Sequence, residues 1–188
     1  MTRLLALALL STAGCAPFLH YRAQPPSLPL AGRVVIEVHD RREPGRGGLQ
    51  PQQIGVHANL IGIPRMLLAE TPTTVDDTMA RLVADAARAA GIGVAPPGQE
   101  ATATARVVVE VQRFWCTGYT PVYKGDVTAS LSVVDAAGNV RVPAVVVHGE
   151  DGGLGCKKIY ETALTRFFDG SRALFATPEV RAAATTAR

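Results

Sequence analysis

The sequence has few charged residues, few aromatic residues and no cluster of basic residues. Charged residues make up 19% and aromatic residues 5% of the 188 residues, and the net charge is only +3. Because nucleic-acid-binding proteins usually carry a basic patch or arm, no nucleic-acid partner is expected. The hydrophobic share of 47% argues against a disordered chain, and the length predicts one globular domain.

Motifs typical of catalysis and metal binding are also scarce. No Gly-x-Ser-x-Gly nucleophile motif occurs. Potential metal ligands lie within nine positions but match no zinc-binding spacing: His148, Glu150, Asp151 and Cys156. We therefore expect no enzyme activity, no metal ion and no cofactor.

The N-terminus contains an apolar stretch that is too short for a transmembrane helix, which needs about 20 residues. Arg3 precedes seven apolar residues at positions 4–10, and small residues at 11–14 lead to Cys15. This order of a basic, an apolar and a small-residue region predicts a signal peptide.

The small residues before Cys15 resemble the lipobox of bacterial lipoproteins. The resemblance implies cleavage before Cys15, diacylation of its thiol and acylation of the new amino group. Two or three acyl chains anchor a protein stably, at about 0.8 kcal/mol per buried CH₂ group. Ala16, instead of Asp, follows the cysteine and favours the outer membrane. An ordinary secretory signal, with Cys15 as a chance small residue, is the alternative.

Prolines without any helical or alternating pattern characterise residues 16–32, which predicts an extended spacer. The tail from Thr177 has almost no large apolar side chain and is expected to be frayed. The predicted organisation is a signal peptide over 1–14, a lipidated cysteine and tether over 15–32, a single α/β domain over 33–175 and a flexible tail over 176–188.

Alternating apolar residues predict four strands. The first begins at Arg33, and the others cover about 101–115, 127–134 and 140–148. Pro143 favours an edge position for the last strand. In the third strand, polar side chains alternate with the apolar ones and predict a sheet face open to water. These polar residues are Thr128, Ser130 and Ser132. Residues 54–68 are interrupted by Gly and Pro, and we expect an irregular segment with at most a short edge strand.

Two amphipathic helices complete the predicted domain. The first follows a capping pattern in which Thr73 and Thr74 precede Asp76 and Asp77 by three residues, and it ends before Gly91. The second covers about 156–173. The element order β-α-β-β-β-α predicts a two-layer α/β (α+β) sandwich, with a mixed four-stranded sheet and both helices on one face.

Several local motifs, together with the lipobox, resemble the YajG-like bacterial lipoproteins over about residues 33–175. They are Asp40-x-Arg42 at the end of the first strand, Ile54-Gly55, Ala90-Gly91-Ile92 and a valine-rich three-strand meander followed by a helix. The resemblance implies a lipoprotein associated with the outer membrane and without an assigned molecular function. The strand and helix order is also similar to that of the lipoprotein partner of the lipopolysaccharide-transport barrel.

Two cysteines are left once Cys15 carries lipid. An even pair in an oxidising compartment is usually bonded, so we predict a disulfide between Cys116 and Cys156. The bond would close a loop of about 40 residues and stabilise the fold by about 4 kcal/mol. Strict alternation places Cys116 on the face opposite Val107 and Val111, unless a bulge interrupts the strand. Two separate thiols are the alternative.

Two further groups of residues are candidate binding sites. Trp115, Tyr119 and Tyr123 surround the second hairpin and could contact a partner, although cross-strand packing explains such aromatic residues equally well. Lys157 and Lys158 follow a glycine-rich segment at a helix start, where exposed N–H groups favour an anion. Lysines in a first turn oppose the helix dipole, so an ordinary polar loop is the alternative.

Together these patterns favour a non-catalytic lipoprotein, anchored in the outer membrane by its acyl chains, with its domain in the periplasm. We expect it to bind another envelope protein or to assist assembly. The alternative is a carrier or transport accessory that binds an anionic lipid or glycolipid near Lys157 and Lys158. A hydrolase is a third class.

Overall fold

The protein is described by a computed structural model that covers residues 30–43, 51–58, 62–68, 74–119 and 121–185. The predicted signal peptide, the lipidation site Cys15 and nearly all of the tether lie outside these residues. None of the helices in the covered ranges is both long enough and apolar enough to cross a bilayer.

The described residues form a mixed α+β fold with one seven-stranded sheet and three helices. In chain order the elements are β1 (Ala31–Asp40), β2 (Gln53–Ala58), β3 (Pro64–Leu68), α1 (Val75–Ala89), β4 (Ile92–Val94), β5 (Ala105–Tyr119), β6 (Val122–Asp135), β7 (Val140–Leu154), α2 (Cys156–Phe175) and α3 (Pro178–Thr185). A short 3₁₀ turn at Glu100–Thr102 precedes β5.

Strand β5 organises the sheet because it has different neighbours along its two halves. On one side it pairs antiparallel with β6 over its whole length, and β6 pairs in turn with β7. On the other side, β1 pairs parallel with residues 105–111, and β2 pairs parallel with residues 116–119. Strand β4 extends the β1 side, and β3 extends the β2 side. The sheet is therefore split beside the middle of β5.

A bulge marks this split. The register between β5 and β6 shifts between Val111 and Arg113. One extra residue reverses the alternation of side chains, so Phe114 and Cys116 are buried on the same face as Val111. Strict alternation would place Cys116 on the opposite face unless a bulge interrupted the strand. The bulge is present, and Cys116 faces the core.

Both long helices cover the same face of the sheet, here called the helix side. Thr74 caps α1, and it exchanges hydrogen bonds with Asp77 as the sequence predicts. Gly91, which follows the helix, has the positive φ of 84° that other residues avoid. Apolar side chains of the helices and strands form one buried core, which includes Leu82, Val109, Leu131, Leu164 and Phe167.

The structure corrects the predicted number of strands and helices. The sheet has seven strands instead of four, because the segment expected to be irregular contains the β2–β3 hairpin and because β4 has only three residues. Elements this short, and interrupted by Gly and Pro, produce no clear alternation. The prediction that β7 lies at an edge is confirmed, since it pairs with β6 alone within the described residues.

The expected flexible tail is also wrong for residues 178–185, which form α3. Val180 and Ala184 of this helix are buried in the core. The helix approaches the sheet so closely that a Cβ atom on Gly32 would collide with the carbonyl oxygen of Ala184. Small side chains permit this packing, whereas the sequence analysis took their small size as a sign of fraying.

Candidate functional site

The face of the sheet opposite the helices, here called the open face, is polar. It carries Thr128, Ser130 and Ser132 as the alternation predicts, but only Thr128 and Ser132 are partly exposed, since Ser130 is buried. Charged side chains of neighbouring strands pair above it. Arg106 contacts Glu37 at 2.7 Å, and Lys124 contacts Glu150 at 3.0 Å.

These ion pairs lower the pKa values of their carboxyl groups. The hydrogen bond from Arg106 is the main reason that the pKa of Glu37 lies below its usual value. The hydrogen bond from Lys124 does the same for the pKa of Glu150. Pairs of exposed charges contribute little stability, so they mainly neutralise this face.

A cavity of about 470 Å³ opens on this face beside the β5 bulge. Its volume falls within the range of small-molecule sites, about 300–1,000 Å³. Residues at the bulge and residues that follow β1 contribute to its walls, because the split in the sheet leaves space there. The lining residues are Arg41, Glu43, Gln112, Arg113, Trp115 and Asp126.

Asp126 is the most firmly held side chain of the cavity. Its Oδ2 accepts a hydrogen bond from Arg113 Nη1 at 3.1 Å, and its Oδ1 accepts one from Thr128 Oγ1 at 2.8 Å. His148 Nδ1 lies 3.5 Å from Oδ1, and the Asp126 side chain is only 14% exposed. Trp115 is its direct cross-strand neighbour. The cavity therefore combines a fixed carboxylate with an indole ring.

A hydroxyl, an imidazole and a carboxylate lie in a row next to the cavity. His148 Nδ1 lies 2.8 Å from Thr128 Oγ1, and His148 Nε2 lies 3.5 Å from Glu150. The Thr128 hydroxyl has a single proton, so in the tautomer in which His148 Nδ1 carries a hydrogen, the hydroxyl accepts from the imidazole and donates to Asp126. An imidazole that donates to a hydroxyl does not activate it as a nucleophile, so this row functions as a hydrogen-bond network.

The potential metal ligands of the sequence do not converge. Glu150 lies on the open face, whereas Asp151 points to the helix side and pairs with Arg166 at 3.2 Å. Cys156 is buried at the start of α2. Across the described ranges, no group of three His, Cys, Asp or Glu side chains has a geometry suited to a metal ion.

The structure brings the two predicted disulfide partners together. Cys116 and Cys156 are buried thiols with their sulfur atoms 3.4 Å apart. A hydrogen bond between them raises the pKa of Cys116 and lowers that of Cys156. A disulfide requires the sulfur atoms to approach to about 2.05 Å. The geometry thus provides the proximity, while the bond itself stays a prediction.

The three candidate aromatic residues do not share one surface. Trp115 and Tyr119 are on the open face, whereas Tyr123 packs against the core on the helix side. Tyr119 forms part of an exposed apolar row together with Val122 and Leu154, which are its neighbours in the register of β5, β6 and β7. Each of these three residues is more than half exposed. Sequence reasoning missed Val122 and Leu154 because only strand register reveals them.

The candidate anion site has a different form from the expected loop. The glycine-rich residues 152–154 are the end of β7, and α2 begins at Cys156 as predicted. Lys157 and Lys158 therefore lie in the first helical turn, where no side chain caps the helix. Lys157 Nζ is 3.9 Å from Glu161.

The Asp40-x-Arg42 motif forms an ion pair in which the arginine is buried. The Arg42 side chain is 1% exposed and makes two hydrogen bonds with Asp40, one from Nη2 at 2.6 Å and one from Nε at 2.9 Å. It also donates to the carbonyl oxygen of Gln53, which joins the end of β1 to β2. Asp76 lies nearby, and its pKa is raised, mainly by burial and then by the charge of Asp40.

Comparisons with known proteins identify no family. No family model and no curated protein matches the chain. Among solved structures, it is similar to protein XCC0632 from Xanthomonas campestris, described as DUF330, with a TM-score of 0.47 and 11% identity over 84% of this chain and 88% of that chain. It is also similar to a dodecameric PelC from Paraburkholderia phytofirmans, with a TM-score of 0.42 and 16% identity over 82% and 96%.

Proposed function

We propose that this chain is a non-catalytic lipoprotein, anchored in the outer membrane and facing the periplasm, that binds another envelope protein. The proposal extends the lipobox pattern before Cys15 and the resemblance to YajG-like lipoproteins. The observation that carries the binding role is the exposed apolar row of Tyr119, Val122 and Leu154.

The apolar row has the properties of a protein-binding surface. Its three large side chains come from adjacent strands and stand directly opposite one another. Single exposed apolar residues are common, but contiguous ones favour an interaction site. Tyr119 adds an aromatic ring with a polar end, a combination enriched in interface hot spots. Because β7 pairs only with β6 in the part of the chain that the structure describes, a partner can approach Leu154 from the side as well.

Photo-crosslinking in intact envelopes tests this surface. A photoreactive amino acid replaces Val122 in one variant and Val140 in the other. The two valines make a matched pair because they are exposed to similar extents, 56% and 64%, and Val140 lies far from the apolar row. We expect one discrete protein adduct from position 122 that is absent from position 140. The absence of an adduct at 122, or the same adduct at both positions, would overturn the proposed surface.

The anchor is tested separately by replacing Cys15. The Cys15→Ala variant should no longer incorporate an alkyne-labelled fatty acid, because the acylated thiol is removed. It should also leave the membrane fraction or accumulate unprocessed. Continued labelling of the variant would contradict the lipoprotein assignment.

A second candidate function is a carrier of an anionic lipid or glycolipid. It is supported by the two lysines, Lys157 and Lys158, in the uncapped first turn of α2. Native mass spectrometry of protein extracted from envelopes distinguishes the two candidates. A bound lipid that is lost in a Lys157→Gln/Lys158→Gln variant favours the carrier, whereas a co-purifying protein that crosslinks to position 122 favours the binding role.

A further inference from the structure

We infer that the cavity beside Trp115 is a binding site for a neutral carbohydrate of about one or two hexose units. The site lies on the open face but apart from the apolar row, since Trp115 and Tyr119 are separated by four residues of an extended strand, or about 13 Å. The inference therefore goes beyond the proposed binding of a protein partner.

The charges of the cavity favour an uncharged ligand. Two guanidinium groups, Arg41 and Arg113, are balanced by two carboxylates, Glu43 and Asp126. An anionic ligand would meet the carboxylates, and a cationic ligand would meet the guanidinium groups. Burying an unbalanced charge is costly, so a polar ligand without net charge fits this lining best.

The cavity also offers an apolar surface next to hydrogen-bonding groups. A sugar ring has an apolar face of C–H groups and an edge of hydroxyl groups, which match the Trp115 ring and the polar walls, respectively. Asp126 already accepts bonds from Arg113 and Thr128, but a carboxylate has about four acceptor positions. It therefore has capacity for two ligand hydroxyls.

The remaining polar groups suit pairs of neighbouring hydroxyls. Arg113 uses Nη1 for its bond to Asp126, and a guanidinium group has five N–H donors in a planar fork. The Gln112 amide contributes both a donor and an acceptor at the bulge. Planar side chains of this kind can contact two adjacent oxygen atoms at once.

Much of the site is fixed before any ligand binds. Asp126 is held by Arg113 and Thr128, and Trp115 and Asp126 lie opposite each other on β5 and β6, which pair over the whole length of β5. Groups on strands keep their positions more accurately than groups on loops, which lowers the cost of binding. The volume of about 470 Å³ limits the ligand to about one or two sugar units.

The fluorescence of Trp115 provides a direct test because the protein contains only one tryptophan. The full chain is purified in a detergent without a sugar headgroup. It is then titrated with neutral disaccharides of glucose, galactose or N-acetylglucosamine. We expect at least one of them to produce a saturable change in tryptophan fluorescence.

The Asp126→Asn variant should weaken that binding by about tenfold or more, because the charged acceptor is lost. Asp151→Asn is the matched control, since Asp151 also pairs with an arginine and is similarly protected, with 23% exposure, but lies on the helix side. If Asp126→Asn does not fold, as judged by circular dichroism, Gln112→Ala replaces it, and we expect a several-fold loss of affinity.

Three results would overturn the carbohydrate site. They are the absence of a saturable change with every disaccharide, unchanged affinity in the cavity variant, and tighter binding of a charged sugar, such as a sugar phosphate or glucosamine, than of its neutral counterpart. No partner protein is present in this titration. Its failure is therefore distinguishable from failure of the crosslinking experiment at Val122.

Discussion

The two faces of the sheet are formed by the same strands but carry different side chains, apolar on one face and mostly polar on the other. On the helix side, β5 and β6 present Val109 and Leu131, which are buried beneath α1 and α2. On the open face, their immediate neighbours Glu110 and Ser130 contact each other, and Arg41 lies 3.7 Å from Glu110. Burial drives folding on the first face, whereas the polar second face is available for binding. Substitutions on the two faces should therefore differ in what they damage.

The largest expected difference concerns two ion pairs, one on each face. Asp40→Ala leaves the buried Arg42 guanidinium without its charge partner and should destabilise the fold by about 3–5 kcal/mol. Arg106→Ala removes the exposed pair with Glu37 and should cost less than about 1 kcal/mol. Urea denaturation of both variants measures these free energies of unfolding. Equal losses would show that the helix-side pair is not structurally special.

Apolar side chains provide the next comparison. Leu131→Ala removes a fully buried side chain and should cost about 2–5 kcal/mol through the cavity it leaves. Val146 is 60% exposed on the open face of the adjacent strand, and Val146→Ala should stay within about 0.5 kcal/mol of the unmodified protein. Urea midpoints check both values. A large loss for Val146→Ala would indicate that a partner or a second copy covers the open face.

The long elements of the helix side were predictable from sequence, and the short ones were not. Strands β5, β6 and β7 are long enough to show the alternation of apolar and polar residues, and the capping residues of α1 indicate where that helix begins. Strand β4 and helix α3 gain their stability from neighbours that are distant in sequence. Val180 of α3 is part of the core only because the folded chain packs this helix against the sheet.

The candidate sites were likewise predictable only where they do not depend on contacts between residues distant in sequence. Sequence reasoning grouped Trp115, Tyr119 and Tyr123 around one hairpin, and only the strand register places the first two on the open face and Tyr123 on the helix side. The cavity could not be predicted, since it depends on a bulge and on residues after β1 that meet Trp115 across the sheet. Val122 and Leu154 become neighbours only once three strands are aligned.

The next prediction concerns a disulfide between the two buried cysteines on the helix side. Non-reducing peptide mapping of protein from envelopes should find Cys116 joined to Cys156, because the sulfur atoms are already 3.4 Å apart. Reduction should then remove about 2–4 kcal/mol of stability and lower the melting temperature by several degrees. A Cys116→Ala/Cys156→Ala variant controls for other effects of the reductant. Recovery of both thiols in free form from freshly isolated envelopes would exclude the bond.

The smallest expected effect concerns Asp76, a partly buried carboxyl group on the helix side. Burial and the nearby charge of Asp40 raise the pKa of Asp76 above its usual 3.8, and its Oδ1 is buried with no hydrogen-bond partner among the described residues. A raised pKa means that the native state binds the proton more tightly than the unfolded state does. The stability from this group is therefore present below the usual pKa and is lost as the pH rises through the raised value.

Asp76→Asn should consequently stabilise the protein at pH 7, because the amide cannot ionise. The gain should shrink as the pH falls through the raised pKa toward the usual value, since Asp76 is then neutral in the native protein as well. Chemical denaturation of both proteins, from roughly one pH unit below the usual carboxyl pKa to about three units above it, measures the difference. Asp77→Asn is the neighbouring control, and it should instead destabilise the helix at pH 7 because Asp77 completes the capping box. A constant difference for Asp76→Asn across this range would show that ionisation of the buried carboxyl is not its cause.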